Sequence, residues 1–147
     1  MIKFKIITPE RIVVEEEIYQ ATLPIEGGEV TILPEHIPYI GTIRAGEIMF
    51  RKTLGGEESS LAVSSGFVEF HNDEMVILAD TAEHAEEIDL TRAEEARKRA
   101  EELKKEHLEM GGEEYARTTA LIEKEMARVR VAHRHHSRRG ISLPSSE

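Results

Sequence analysis

The stretch MVILADTAEHAEEIDLTRAEEARKRAEEL, residues 75–103, divides the chain into two kinds of structure. Met75-Val76-Ile77-Leu78 is a short apolar run of the sort that forms a strand. From about residue 85 the composition turns to Ala, Glu, Lys and Arg. Leu90, Ala93, Ala96 or Arg97, Ala100 and Leu103 then recur every three or four residues, the period of one helix face. Asp89 or Thr91 is placed to cap this helix, and Thr91-Arg92-Ala93-Glu94 has capping-box spacing. Glu94–Lys98, Glu95–Arg99 and Glu101–Lys105 are favourable pairs four apart.

Upstream, the chain reads as short strands cut by turns. Ile2, Phe4 and Ile6 alternate with Lys3 and Lys5, which predicts a half-buried strand. Thr8-Pro9-Glu10 is a turn. Ile12–Val14 and Ile18–Leu23 are the next strands, closed by Pro24 and Gly27-Gly28. Val30–Leu33, Ile48–Phe50, Leu61–Val63, Phe67–Phe70 and Met75–Leu78 follow, with Asn72-Asp73 as the last turn. Seven or more such strands predict an antiparallel β-sandwich or barrel over residues 1–84.

Downstream, Gly111-Gly112 is expected to stop the first helix. Tyr115, Thr119, Ile122, Met126 and Val129 then make a coiled-coil-like stripe in a second. Residues 85–132 are therefore expected to form an antiparallel two-helix hairpin. Its stripes are thin and the first is mostly Ala. At ~25 cal/mol per Å², such a hairpin hardly offsets its own ordering cost, so it is expected to be weakly held and movable. Residues 133–147 lose the period and are expected to form a basic, disordered tail.

Composition narrows the function. The chain has 147 residues, 39% hydrophobic and 33% charged. It has no Cys, which rules out disulfides, thiolate metal sites and thiol nucleophiles. The absence of Trp and the few aromatic residues disfavour base stacking, so no nucleic-acid partner is expected. No apolar run reaches the ~20 residues of a membrane span, and MIKFKIITPE lacks the features of a signal peptide. A soluble protein in a reducing compartment is expected, meeting membranes only through another protein. The net charge is −10. Most of that excess lies before residue 85, while residues 126–147 carry five Arg and three His against one Glu. An acidic body with a basic end suggests docking on more than one surface.

No catalytic constellation is present. Glu15-Glu16-Glu17 reads as a solvated run. Ser59-Ser60 and Ser64-Ser65 lack the context of a nucleophile elbow, and no glycine pair leads into a phosphate loop. The cluster of His133, His135 and His136 is interrupted by Arg134, which repels a metal ion. The segment EVTILPEHIP, residues 29–38, is more specific. Pro34 and Pro38 stiffen a turn that presents Glu35, His36 and Ile37, suited to be a rigid contact loop.

Several of these segments together resemble one family. Gly27–Pro38, GGEVTILPEHIP, resembles the patterned loop of the epsilon subunits of rotary ATP synthases. Ser65–Glu69, Ile77–Glu83, Ile88–Ala93 and Met126–Val131 resemble further motifs of that family, in the same order. Thr31 and Glu35 stand where the family commonly has Gly, or Gly or Asn, and Ser65 replaces the first Gly of a pair.

The resemblance implies a non-catalytic central-stalk subunit, with the catalytic residues on other chains. The sandwich would bind the foot of the gamma subunit and rest on the ring of membrane rotor subunits, through Glu29, Glu35 and His36. The chain would then lie peripherally on the cytoplasmic face of a bacterial membrane, coupling ion flow, of protons by expectation, to ATP synthesis. The hairpin would lie folded or extend into the alpha/beta catalytic head, where Arg128 and Arg130 would meet acidic surfaces and ATP hydrolysis would be restrained. No cofactor is required. ATP is implied as a regulatory ligand, at positions matched by Glu83, Ile88, Asp89, Arg92, Ala93, Arg99 and Arg128, with Lys124 where Arg is usual. The alternative is a free-standing nucleotide-sensing module of the same build, which would not co-purify with gamma.

Overall fold

The computed structural model describes residues 1–106 and 112–139. Ile2, Phe4 and Ile6 point inward from β1 (Ile2–Ile7), as their alternation predicts. Nine further strands follow: β2 (Ile12–Ile18), β3 (Gln20–Ile25), β4 (Gly28–Ile32), β5 (Tyr39–Ile43), β6 (Gly46–Arg51), β7 (Glu58–Val63), β8 (Gly66–His71), β9 (Glu74–Ala79) and β10 (Ala82–His84). They form one hydrogen-bonded path, β10-β7-β6-β3-β5-β8-β9-β1-β2, with β4 paired to β3. At the β3–β5 step only Ile25 and Ile43 pair, so the path turns a corner there. Both halves send side chains into one core, built on Phe4, Leu23, Ile48, Phe50, Leu61, Phe70, Met75 and Ile77.

All pairs are antiparallel except β1 with β9, which run parallel. The turn between β8 and β9 holds Asn72 and Asp73 at φ 50° and 57°. Two successive left-handed residues give the twist that a tight hairpin needs, and Asn and Asp tolerate that region. β5 was not expected from the sequence. Gly41 breaks its apolar run, and only its pairing with β8 from Tyr39↔Phe70 to Ile43↔Gly66 makes it a strand.

A short 3-10 turn, Ala85–Glu87, leads into α1 (Leu90–Glu106), and α2 spans Gly112–Arg138. Gly112 thus opens the second helix. Two features of the hairpin depart from expectation. The seam passes through buried Ile122, Glu125, Val129 and Ala132, while Met126 is exposed. The helix is covered on two sides, by α1 and by the sandwich, so a single stripe misjudges its register. The expected boundary at residue 132 is also corrected: α2 runs on to Arg138. His133 meets Glu94 of α1 at 3.2 Å, and Arg134 and Arg138 pair with carboxylates of the sandwich. These long-range partners extend a helix whose own sequence has lost its apolar period. The last residues of the expected tail lie outside the described part.

Ala62 of β7, Ala85, Ile88, Ala93, Val129, Val131 and Ala132 form a second, smaller cluster that joins hairpin to sandwich. Small residues let α2 approach β6 and β7 closely. They bury little apolar area in doing so.

Candidate functional site

Two surfaces carry the residues singled out above, and strand pairing assembles a third. The first is the seam between hairpin and sandwich, where Arg128 is the central group. Its Nε donates to Glu83 Oε2 at 2.8 Å, and its Nη1 donates to Glu125 Oε2 at 2.8 Å. Burial opposes the Arg128 charge, but hydrogen bonds and charge from Glu83 and Glu125 outweigh it, and its pKa is raised. Ile88 and Ala93 lie buried in the small cluster with Val129, the next residue along α2.

Asp89 and Arg92 sit exposed at the start of α1. Asp89 Oδ1 accepts from the Arg92 backbone N–H at 3.1 Å, which makes Asp89 the helix cap. The Arg92 side chain lies 3.8 Å from the same carboxylate. Arg99 is exposed farther along α1. Lys124 lines a cleft between α2 and the sandwich, with Arg44, Asp80, Thr81 and Arg130 among its walls. The structure therefore joins Arg128 to Glu83, and Asp89 to Arg92. It leaves Arg99 and Lys124 on other parts of the hairpin surface. Of the expected pairs four apart on α1, none is formed; Glu94 turns instead to His133, and Arg97 reaches Glu101 at 4.0 Å.

The second surface is the loop between β4 and β5. Leu33 and Ile37 are exposed, Ile37 at 75%. Glu35 has φ 65°, the left-handed region, and its N–H donates to Asp73 Oδ1 at 2.7 Å. A position where Gly or Asn is common in the resembled family thus does require that backbone conformation. The His36 ring stands edge-on to Phe70 at 5.9 Å, and its Nδ1 is 2.7 Å from the Ile37 carbonyl. A ring nitrogen facing a carbonyl must carry the proton, which leaves Nε2 for an outside partner. Glu29 lies at the other end of β4 and lines a cleft with Arg130 and Arg134.

Sequence reasoning missed the third surface. Thr42, Phe67, Leu78 and Ile7 stand in register across β5, β8, β9 and β1. Phe67 is 63% exposed and Leu78 54%, and the neighbouring row adds exposed Ile40 and Val76. An exposed apolar row of this kind on an outer sheet face is a candidate for a protein contact. Leu78 was visible in sequence as part of a strand, but its neighbours are brought beside it only by strand pairing.

Comparison with known proteins agrees with this build. Residues 1–85 match the family model described as the ATP synthase delta/epsilon chain beta-sandwich domain. Residues 86–133 match the long alpha-helix domain of the same chain. The chain belongs to the ATP synthase delta/epsilon family. It is 44% identical over 131 residues to an ATP synthase epsilon chain of Dehalococcoides mccartyi, covering 89% of this chain and 91% of that one. It is 40% identical to the epsilon chain of Moorella thermoacetica, covering 89% and 96%. In fold it is similar to a chain in the Euglena gracilis mitochondrial ATP synthase OSCP/F1/c-ring structure, with TM-score 0.71 at 18% identity over 86% of this chain and 78% of that one. As an epsilon chain it is a non-catalytic subunit of the F-type ATP synthase central stalk. Among the described residues no helix is long and apolar enough to cross a membrane.

Proposed function

We propose that the sandwich of this epsilon chain docks on gamma through the Thr42–Phe67–Leu78–Ile7 row and touches the rotor ring through the Pro34–Pro38 loop. The observation that carries this reading is the exposed apolar row, which no element of the chain covers among the described residues. The loop is stiffened by its two prolines and tied to the β8–β9 turn, so it suits the transmission of torque. The assembled subunit then sits peripherally, at the cytoplasmic face of a bacterial membrane, and helps couple proton flow to ATP synthesis. Phe67→Glu tests the row directly. The isolated variant is expected to fold, because Phe67 points outward, and to lose capture of gamma. Normal capture by the folded variant sinks the assignment.

The hairpin restrains ATP hydrolysis by leaving the sandwich for the alpha/beta head, where Arg128 and Arg130 find acidic partners. Its support is the narrow attachment: a few small residues and ion pairs, with little apolar area to lose. Deleting residues 88–147 should preserve assembly and raise hydrolysis. An unchanged rate, under conditions that inhibit the intact enzyme, counts against this role.

ATP is the regulatory ligand that favours the folded hairpin. Asp89 and Arg92 at the start of α1, with Ile88, Ala93 and Glu83–Arg128 behind them, supply an acceptor, an apolar wall and cations. Arg128 would have to exchange Glu83 or Glu125 for phosphate, and Arg99 and Lys124 would have to swing in. ATP at a hundredfold excess over Kd would stabilise the folded form by about 2.7 kcal/mol. Calorimetry on the full chain decides it. Binding that vanishes in Arg92→Ala with Arg128→Ala supports the site, and no heat at millimolar ATP leaves Asp89 as a plain cap.

A further inference from the structure

Ala127, Val131, Arg134 and Arg138 follow one another along α2 at spacings of four, three and four, and so share one helix face. Ala127 and Val131 line a cleft against Pro24, Gly46 and Glu47 of the sandwich. The two arginines that continue this face lie past residue 133, where the match to the helical family model ends. Each reaches a carboxylate of the sandwich. Arg134 Nη1 donates to Glu47 Oε2 on β6, and Arg138 Nη1 donates to Glu58 Oε1 on β7 at 2.7 Å.

The Glu58 carboxylate is held ready for its arginine. Glu58 Oε2 accepts from Arg51 Nη2 at 2.9 Å, and Arg51 Nη1 donates to the Gly56 carbonyl at 2.6 Å. Glu58 is therefore oriented by its own sheet before α2 arrives. The Glu47 side chain is only 9% exposed, and its Oε1 is buried without a hydrogen-bond partner among the described residues. A carboxylate so far removed from water needs a cation, and Arg134 is the one that reaches it. α2 itself covers Glu47, so removing Arg134 from the docked hairpin leaves a buried carboxylate without its cation and favours undocking.

We propose that residues 133–138 are a two-point electrostatic latch, Arg134 on Glu47 and Arg138 on Glu58, which holds the hairpin folded on the sandwich and releases it as ionic strength rises. The latch rests on the reading that the hairpin leaves the sandwich. It adds which contacts set the balance between docked and free forms. The apolar seam is made largely of Ala and Val, so it fixes where α2 lies, while these two arginines, together with Arg128 on Glu83, decide how firmly it stays. Both arginine side chains are more than half exposed, so salt screens these pairs, less at Glu47 than at Glu58, whereas an Ala–Val seam is not weakened by it.

The chain has no Cys, so Leu54→Cys on the sandwich and Glu123→Cys on α2 provide two unique labelling sites in the full chain. Energy transfer between labels there reads the docked fraction across a sodium chloride titration. Arg134→Gln with Arg138→Gln is expected to raise the undocked fraction roughly tenfold and to flatten its salt response. Arg134→Lys with Arg138→Lys, which keeps both charges, should recover most of the docking. Lys98→Gln with Lys105→Gln removes the same charge from the exposed face of α1 and should change nothing. Docking and salt response unchanged in the double Gln variant overturn the latch. An equal opening in the α1 control also overturns it, since net charge would then be the cause. This readout needs no ATP hydrolysis. A hairpin deletion that leaves hydrolysis unchanged would remove the regulatory role and not the latch.

Discussion

Arg128 of α2 and Glu83 of β10, 45 residues apart in sequence, meet at 2.8 Å in the seam between hairpin and sandwich. Glu125 approaches the same guanidinium from the preceding turn, so one cation serves two carboxylates. Removing the cation leaves both uncompensated, Glu125 in a buried position. Arg128→Met is therefore expected to weaken docking of α2 by about 1–3 kcal/mol. A double-mutant cycle with Glu83→Gln, read by amide exchange in β10 and α2, measures the coupling. A coupling near zero would mean the contact is incidental.

The pH dependence of that contact has a definite sign on the arginine side. The pKa of Arg128 is raised above the ordinary guanidinium value. A cation whose folded-state pKa is raised stabilises the fold fully below the unfolded value, and its contribution is lost only as pH rises through the folded one. Raising the pH from neutral to 10 should thus leave the Arg128 contribution in place. A cycle run at both values should return the same coupling.

Gly66 begins β8 opposite Ala79 of β9. A Cβ there would overlap the Leu78 carbonyl oxygen and crowd the Ala79 Cα at 2.9 Å, both of them backbone atoms. Gly66→Ala should destabilise the sandwich by about 2–4 kcal/mol, seen as a lower unfolding midpoint in urea. Ser65→Gly, beside it, touches only an exposed hydrogen bond to Asp80 and should cost far less.

Glu35 holds φ 65° while its N–H is tied to Asp73. Glu35→Gly should keep the loop and change stability by less than about 1 kcal/mol, since relief of strain and the extra freedom of the unfolded chain oppose each other. Glu35→Val has no such relief and should destabilise by more than about 1 kcal/mol. Thermal unfolding of the two variants separates them. Equal midpoints would remove the backbone argument.

His36 presents the outer edge of a ring already seated against Phe70. His36→Glu should leave the isolated chain folded and lower coupled ATP synthesis in membranes by several-fold. Full synthesis with the variant incorporated would show that the loop carries no torque.

The division of the chain near residue 85 was legible from residues 75–103 alone, because a strand and a helix impose different periods on apolar residues and no partner is needed to read them. The turn at Asn72-Asp73 was legible for the same reason, and so was a helix cap at Asp89 or Thr91, of which the structure uses Asp89: each is local chemistry. What the sequence left open depends on contacts distant along the chain. β5 became a strand only through β8. The apolar row came into being only when four strands aligned Thr42, Phe67, Leu78 and Ile7. The register of α2 was settled by burial on two sides, which exposes Met126 and buries Glu125 beside Arg128. Arg134 and Arg138, in a stretch that reads as a structureless basic tail, belong to the helix because Glu47 and Glu58 wait on β6 and β7. Local pattern determines which element a segment favours; which charges and apolar groups find one another is decided by the fold that brings them together.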